Sequence, residues 1–337
     1  MESDAALERA VLLNPAAWQA WVRLGSRAEA AGDFPHAEYS YRQAAAANRQ
    51  FQPAWMLANY FFRRDNRQEF SIWAGRALRM SYGDPRPIFE LCRRADDSPA
   101  IVLDAAAGRP GLLRLYLAYL TSEGKLEAAG ETARRLAPVA GSDDLPNLVA
   151  YCGRVLDSGT AEGALGVWNE LCRRRLLPYA PLAPGEGRSL TNGEFAGAPL
   201  SLGFDWRLVP WNGVSSVRLP DPACLRITLS GEQPESCQLL TQTVPVEPGR
   251  RYRLGFEFRT PGMPPATGLR WRVYGSPDNS ELAEVPSELA AADWRHQELS
   301  FATGANCRLA RLVLEYRQPR DAEPIEGSLW LRHISLD

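Results

Sequence analysis

The sequence predicts an α + β multidomain protein, with an N-terminal α-solenoid followed by a C-terminal antiparallel β-sandwich of jelly-roll type. Three observations carry this expectation. A spacing of small and aromatic residues recurs with a period of about 34 residues through the first half. Prolines at 178, 181 and 184 then forbid continued helix. Beyond them apolar residues alternate singly, as half-buried strands require. The boundaries drawn are 1–178 for the helical repeats, 179–188 for a stiff proline-rich linker and 189–337 for the sandwich.

The helical register is fixed by Trp21, Leu24 and Gly25, followed by Ala37, Tyr41 and Ala44. One period earlier, Leu7, Ala10 and Pro15 fill the second half of the pattern, so the chain opens on an incomplete repeat and an upstream helix or anchor is expected. Trp55 follows Trp21 by one period, and after the loss of one loop residue Phe70, Ala74 and Ala77 stay in step. Ile88, Leu91 and Cys92 begin a shortened unit. Two more units run through Gly124, Ala129, Ala133 and Leu136, then Gly159, Ala164, Trp168 and Leu171. Alanine at each helix crossing lets backbones approach, and the neighbouring aromatic fills the remaining gap. Gly32 and Gly124 mark turns between paired helices. In this spacing the chain resembles tetratricopeptide repeat proteins over roughly residues 1–178.

Such helix pairs cannot bury their faces alone, and stacking them creates a concave surface that takes peptides or partner helices. The register places Gln19, Ser26, Glu29, Tyr60, Arg63, Arg64 and Arg114 near that groove. A protein partner is therefore expected there, although the residues do not name it.

Past the linker, Tyr252, Leu254, Phe256 and Phe258 face one way while Arg251, Arg253, Glu257 and Arg259 face the other. Similar runs occupy 223–230, 237–245, 268–274, 296–302, 308–316 and 328–336, separated by turn residues. An opening strand is expected at Thr191-Asn192-Gly193-Glu194-Phe195. Further on stand Gln242-Thr243-Val244-Pro245-Val246-Glu247-Pro248-Gly249 with Tyr252, then Trp294 and Trp330. This ordered set resembles the galactose-binding-like jelly rolls that include many carbohydrate-binding modules. That resemblance implies a polysaccharide ligand and places Trp294 and Trp330 inside the sandwich. Members of that group can hold structural calcium through acidic residues near the first and last strands. Here Ala196 and Leu331-Arg332-His333 stand in those places, and hard cations need several oxygens, so no metal is expected. Repeats, proline linker and the segment Gly203-Phe204-Asp205-Trp206-Arg207 together look like bacterial envelope proteins associated with exopolysaccharide systems. The setting this implies is the periplasm or cell envelope; a chain complete as given would be cytoplasmic.

Candidate carbohydrate contacts are Trp206 and Trp211, in an irregular segment, with Arg270, Arg272 and Tyr274 on an outward strand phase. The two tryptophans read equally as a plug closing the end of the sandwich. Trp271 alternates with Leu269 and Val273 and is expected in the core. The outward phase also carries Arg226, Arg251, Arg253 and Arg259. It is either a solvated face or a guanidinium surface for an anionic partner, acidic polysaccharide or carboxylates of the helical domain.

With 45% hydrophobic and 23% charged residues, the 337-residue chain has the composition of a globular protein with room for two cores. A net charge of −2 gives no footprint for nucleic acid, and no run is apolar enough to span a membrane. Lys125 is the sole lysine, a bias that genome base composition explains. Cys92, Cys152 and Cys172 occupy helical core phases. Cys224 and Cys237 flank an expected hairpin, and with Cys307 they leave one disulfide open in an oxidising compartment. His36, His296 and His333 lack ligand spacing, and no nucleophile elbow, zinc-helix motif or phosphate loop occurs. Glu257, Asp278, Glu281 and Glu284 could supply paired carboxylates for glycoside cleavage, but nothing selects a pair. A non-enzymatic scaffold without cofactor is therefore expected, with two rivals: a pure protein-interaction adaptor whose sandwich is structural, and a polysaccharide-modifying enzyme.

Overall fold

The computed structural model describes residues 4–283, 288–320 and 322–337. Eleven α-helices precede ten β-strands among these residues, and the chain divides into two compact units, Met1–Thr132 and Ala133–Asp337.

In the first unit α1 (Asp4–Leu13) precedes the pair α2 (Trp18–Ala30) and α3 (Phe34–Ala47) and the pair α4 (Phe51–Arg63) and α5 (Arg67–Met80). Shorter helices α6 (Arg86–Ala95) and α7 (Ala100–Ala105) follow, then α8 (Pro110–Ser122), while α9 (Leu126–Leu136) runs across the division. The second helix of each early pair starts on a side-chain cap: Asp33 accepts from the His36 amide at 3.2 Å and Asn66 from the Glu69 amide at 3.1 Å. The repeat signature acquires its physical meaning at Gly25, where a Cβ would stand 2.7 Å from the Tyr41 ring. Glycine on one helix is the seat of the aromatic on the next, and Ala37 and Ala44 beside it have no exposed surface.

The second unit holds α10 (Leu145–Asp157) and α11 (Ala164–Arg173) together with the sandwich. One sheet has the order β1 (Arg207–Leu208), β4 (Ser236–Pro245), β9 (Leu309–Arg317), β6 (Leu269–Ser276), β7 (Ser280–Glu281). The other runs β2 (Val214–Pro220), β3 (Ala223–Ser230), β10 (Glu326–Leu336), β5 (Arg251–Arg259), β8 (Arg295–Ala302). Every pairing is antiparallel. The inward phases of both sheets meet in one core, with Trp206 and Trp271 5.9 Å apart near its middle.

The proline-rich segment is tied down on both sides. Trp168 of α11, fully buried, stacks on Tyr179 at 6.0 Å and meets Phe204 edge-on at 5.7 Å. Asn169 clamps Leu182, its amide donating to the carbonyl at 2.8 Å and its oxygen accepting from the Leu182 N–H at 2.7 Å. These contacts put α10 and α11 in the same compact unit as the strands, so the observed division falls at 132/133, upstream of the proline-rich segment.

Several local expectations are corrected. Residues 191–195 form a turn, with Asn192 and Phe195 at positive φ, where a strand was expected. Cys224 and Cys237 do not flank a hairpin, because β3 and β4 lie in different sheets; both thiols, like that of Cys307, are free and buried. Trp294 and Trp330 stand half-buried on the outside of the second sheet: Leu329 and Leu331 take the inward phase of β10 on either side of Trp330, and Trp294, just before β8, lies against the outward Arg259 and Arg332.

Candidate functional site

The outer face of the β1-β4-β9-β6-β7 sheet is polar, and its residues follow from strand alternation. On β6, Leu269, Trp271 and Val273 point into the core, which leaves Arg270, Arg272 and Tyr274 outside. On β9 the outward phase is Arg311, Val313 and Glu315; the registers set Arg270 opposite Glu315 and Tyr274 opposite Arg311. On β4, Thr241 faces Val313 and Thr243 faces Arg311.

Arg270 and Arg272 are brought together, but as parts of an internal ion-pair network. The Nε of Arg272 donates to Glu315 at 2.6 Å, its Nη1 to Glu281 at 2.6 Å, and the Nε of Arg270 lies 3.4 Å from the same Glu315. Two cations are thereby answered by two carboxylates, and the Arg272 guanidinium is held more firmly protonated against the cost of its burial. Neither arginine offers a free charge.

One end of this face opens into a cleft of about 540 Å³. Its walls carry Thr241, Thr243, the Gln238 and Asn279 side chains, Ser276 and Arg207, and Tyr274 with Arg311 stands among them. The Arg311 guanidinium lies 5.2 Å from the Tyr274 ring centre and its Nη2 donates to the Asn279 amide oxygen at 3.1 Å. Among the described residues no carboxylate pairs with it. The turn between α10 and α11 closes the cleft: Asp157 accepts from Arg207 at 2.7 Å, and the Ser276 hydroxyl donates to the Gly159 carbonyl at 2.9 Å. Trp211, 40% exposed, donates its indole N–H at 2.7 Å to the carbonyl of Gln238, itself a wall residue.

Trp206 is not a ligand platform. It is fully buried in the core and its indole N–H donates to the Asn192 carbonyl at 3.2 Å. The segment around it is a structural buckle. The buried Asp205 carboxylate accepts from the Tyr179 hydroxyl at 2.7 Å and from the Leu200 and Trp206 amides at 2.8 Å each. Gln242 donates to the carbonyls of Thr191 and Phe204 at 2.9 and 3.0 Å. Burial raises the Asp205 pKa above the usual carboxylate range in spite of these donors.

In the first unit Glu29 and Arg63, one repeat apart, form a two-pronged pair at 2.8 Å, and the Tyr41 hydroxyl donates to the same carboxylate at 3.0 Å. Gln19 and Ser26 are exposed, Arg64 covers the Phe34 ring at 3.8 Å, and Arg114 is half-buried. Tyr60 leaves the groove set: it is buried, its hydroxyl donating to the Phe34 carbonyl at 3.0 Å, because its helical phase faces α3.

Of the acids weighed for glycoside cleavage, Glu257 pairs with Arg332 at 2.8 Å on the other sheet, Glu281 neutralises Arg272, and Asp278 accepts from the Ser280 hydroxyl at 2.9 Å. Glu284 lies outside the described residues. Sequence reasoning missed Arg311, Thr241 and Thr243; the alternation of β4 and β9 marked them as outward, but not as neighbours.

No family model and no curated protein matches the chain. Among solved structures, the chain is similar to a CBM4 structure at 12% identity and a TM-score of 0.34, over 44% of this chain and 99% of that one. It is similar to a family 16 carbohydrate-binding module at 19% identity and a TM-score of 0.32, over 44% and 98%. PilW, a type IV pilus biogenesis factor, is matched at 19% identity and a TM-score of 0.25, over 52% and 85%.

Proposed function

We propose that this chain is a non-enzymatic binding and scaffold protein whose sandwich holds carbohydrate in the Arg311–Tyr274 cleft and whose helix pairs dock a protein partner. The observation that carries the reading is the cleft itself: an open, ligand-sized recess walled by hydroxyls and amides, with a planar ring and a guanidinium free of carboxylate among the described residues. Hydroxyl-rich ligands need many short donors and acceptors with a flat apolar surface beside them, and Tyr274 supplies the latter. Arg311 favours sugars that carry a carboxylate. The glimpse of an exopolysaccharide role in the cell envelope comes from the sequence resemblance and is part of the proposal. No helix among the described residues is long and apolar enough to cross a membrane.

A second reading, a pure adaptor with a structural sandwich, is favoured by the internal pairing of Arg270 and Arg272 and the burial of Trp206. Glycan-array binding of the intact protein beside Arg311→Ala and Tyr274→Ala decides between them. The carbohydrate reading expects a defined set of bound glycans and at least about tenfold weaker binding in either variant. Binding of no glycan would leave the adaptor, and glycan binding unchanged in both variants would remove the cleft as the site.

A further inference from the structure

The other sheet carries a separate feature on its outer face. The registers set Arg226 of β3 opposite Trp330 of β10, and Trp330 opposite Arg259 of β5. Arg259 lies between two rings, 4.8 Å from the centre of Trp330 and 5.0 Å from that of Trp294, and Arg332 covers Trp294 at 4.0 Å. The result is a cross-strand row, Arg226, Trp330, Arg259, Trp294, running perpendicular to the strands. The tryptophans are half-buried, and so are the arginines.

The charge on this row is not answered from within. Arg332 pairs with Glu257 at 2.8 Å. Arg226 and Arg259 have no carboxylate partner among the described residues, and the Nε of each is buried without a hydrogen bond. The guanidinium fields of Arg259, Arg332 and Arg226 converge on Cys224, opposing the upward push that burial gives its thiol. Stacking on indole holds a guanidinium flat and in place while leaving its edge donors unused. Neighbouring strands lie about 4.8 Å apart, so the backbones bearing Arg226 and Arg259, two strands apart, are separated by roughly 9.6 Å.

We propose that this row is a second carbohydrate contact, which grips an extended acidic polysaccharide of uronate type across the sheet. Guanidinium edges at a regular spacing take carboxylates, and the indole edges between them, whose faces Arg259 and Arg332 cover, take the C–H groups of the sugar rings. Charge complementarity selects the acid, and the alternation of ring with cation selects a sugar chain over a simple polyanion. The inference rests on the carbohydrate reading of the sandwich, but on a surface that shares no residue with the cleft.

The test is titration calorimetry of the intact protein with polygalacturonate, neutral dextran and polyphosphate. Arg226→Gln/Arg259→Gln, Trp294→Ala and the cleft variant Arg311→Ala are run alongside, with thermal melts as the folding control. The proposal expects polygalacturonate to bind and dextran not to bind at the row. It further expects the double arginine variant and Trp294→Ala to lose at least about tenfold in affinity at unchanged melting temperature, while Arg311→Ala retains most of it. Affinity should fall with added salt in the wild type and less steeply in the double variant. Loss confined to Arg311→Ala would move the ligand to the cleft and overturn the row. Polyphosphate binding as tightly as polygalacturonate, with Trp294→Ala neutral, would overturn the sugar assignment. Should Arg311→Ala alter no glycan while the row variants do, the cleft reading fails and the row stands. If a row variant melts early, Arg226→Lys/Arg259→Lys replaces it; lysine keeps charge but not the flat fork, so unchanged affinity there overturns the guanidinium geometry.

Discussion

Replacing Trp168 by alanine tests whether the last two helices and the sandwich unfold as one. The side chain is fully buried against Tyr179 and Phe204, and truncation of a buried tryptophan costs about 3–5 kcal/mol. Its indole N–H has no hydrogen-bond partner, so removing it recovers about 1 kcal/mol of desolvation penalty and leaves a net loss near 2–4 kcal/mol. For a unit spanning Ala133–Asp337 this lowers the melting temperature by roughly 4–16 °C. The partner perturbation is Gly203→Ala, whose φ is +63° and whose Cβ would stand 2.4 Å from Cζ3 of Trp168. A left-handed alanine costs about 1–2 kcal/mol, and the steric conflict adds about 1–3 kcal/mol. Only the second contribution disappears once Trp168 is gone, so a double-mutant cycle should return a coupling of about 1–3 kcal/mol. Urea unfolding followed by far-ultraviolet circular dichroism for helix and near-ultraviolet signals for the sandwich core supplies all four corners. Additive effects, or a sandwich transition that ignores Trp168→Ala, would refute the claim that α11 and the strands form one cooperative unit.

Three further outcomes are expected. Asp205 has its folded pKa raised by burial, so the native state holds a proton that the unfolded chain has released; stability should be greatest below the ordinary carboxyl range and decline as pH rises through the raised value. Asp205→Asn should flatten that decline in urea titrations across mildly acidic pH, and an unchanged slope would assign it elsewhere. Arg272→Ser takes the hydrogen-bonded cation from the part-buried Glu315, leaving Arg270 3.4 Å away, and should cost about 1 kcal/mol by denaturant midpoint while sparing cleft binding, the reverse of Arg311→Ala; lost binding at full stability would contradict the internal role given to Arg272. All six cysteines are buried, with burial pushing the thiols of Cys92 and Cys172 up to about 12 and that of Cys237 up to about 11. A disulfide thiol reagent at neutral pH should therefore label the native protein slowly and the unfolded chain at every cysteine, and rapid native labelling would refute it.

What the sequence determined by itself is whatever is local and periodic. Gly25 and Tyr41 lie sixteen positions apart in a repeated frame, and that frame already states that one helix must seat the aromatic of the next. The alternation along β5 and β6 fixed which side chains face out, because the strand period is two whatever the sheet. Only the tertiary structure decided which sheet each strand joins. β3 and β4 are consecutive yet belong to opposite sheets, so a single outward phase of arginines is in fact two surfaces: Arg270 and Arg272 among acids, Arg226 and Arg259 among tryptophans. The cleft was hidden for the same reason, since Arg311 meets Tyr274 only through the pairing of β6 with β9. Trp206 read as part of an irregular segment and residues 179–188 as a stiff linker because proline, glycine and irregular polarity report on backbone angles and say nothing of burial. Their order comes from Trp168, Asn169 and Gln242, which reach them from elsewhere in the chain, and no local pattern records contacts of that range.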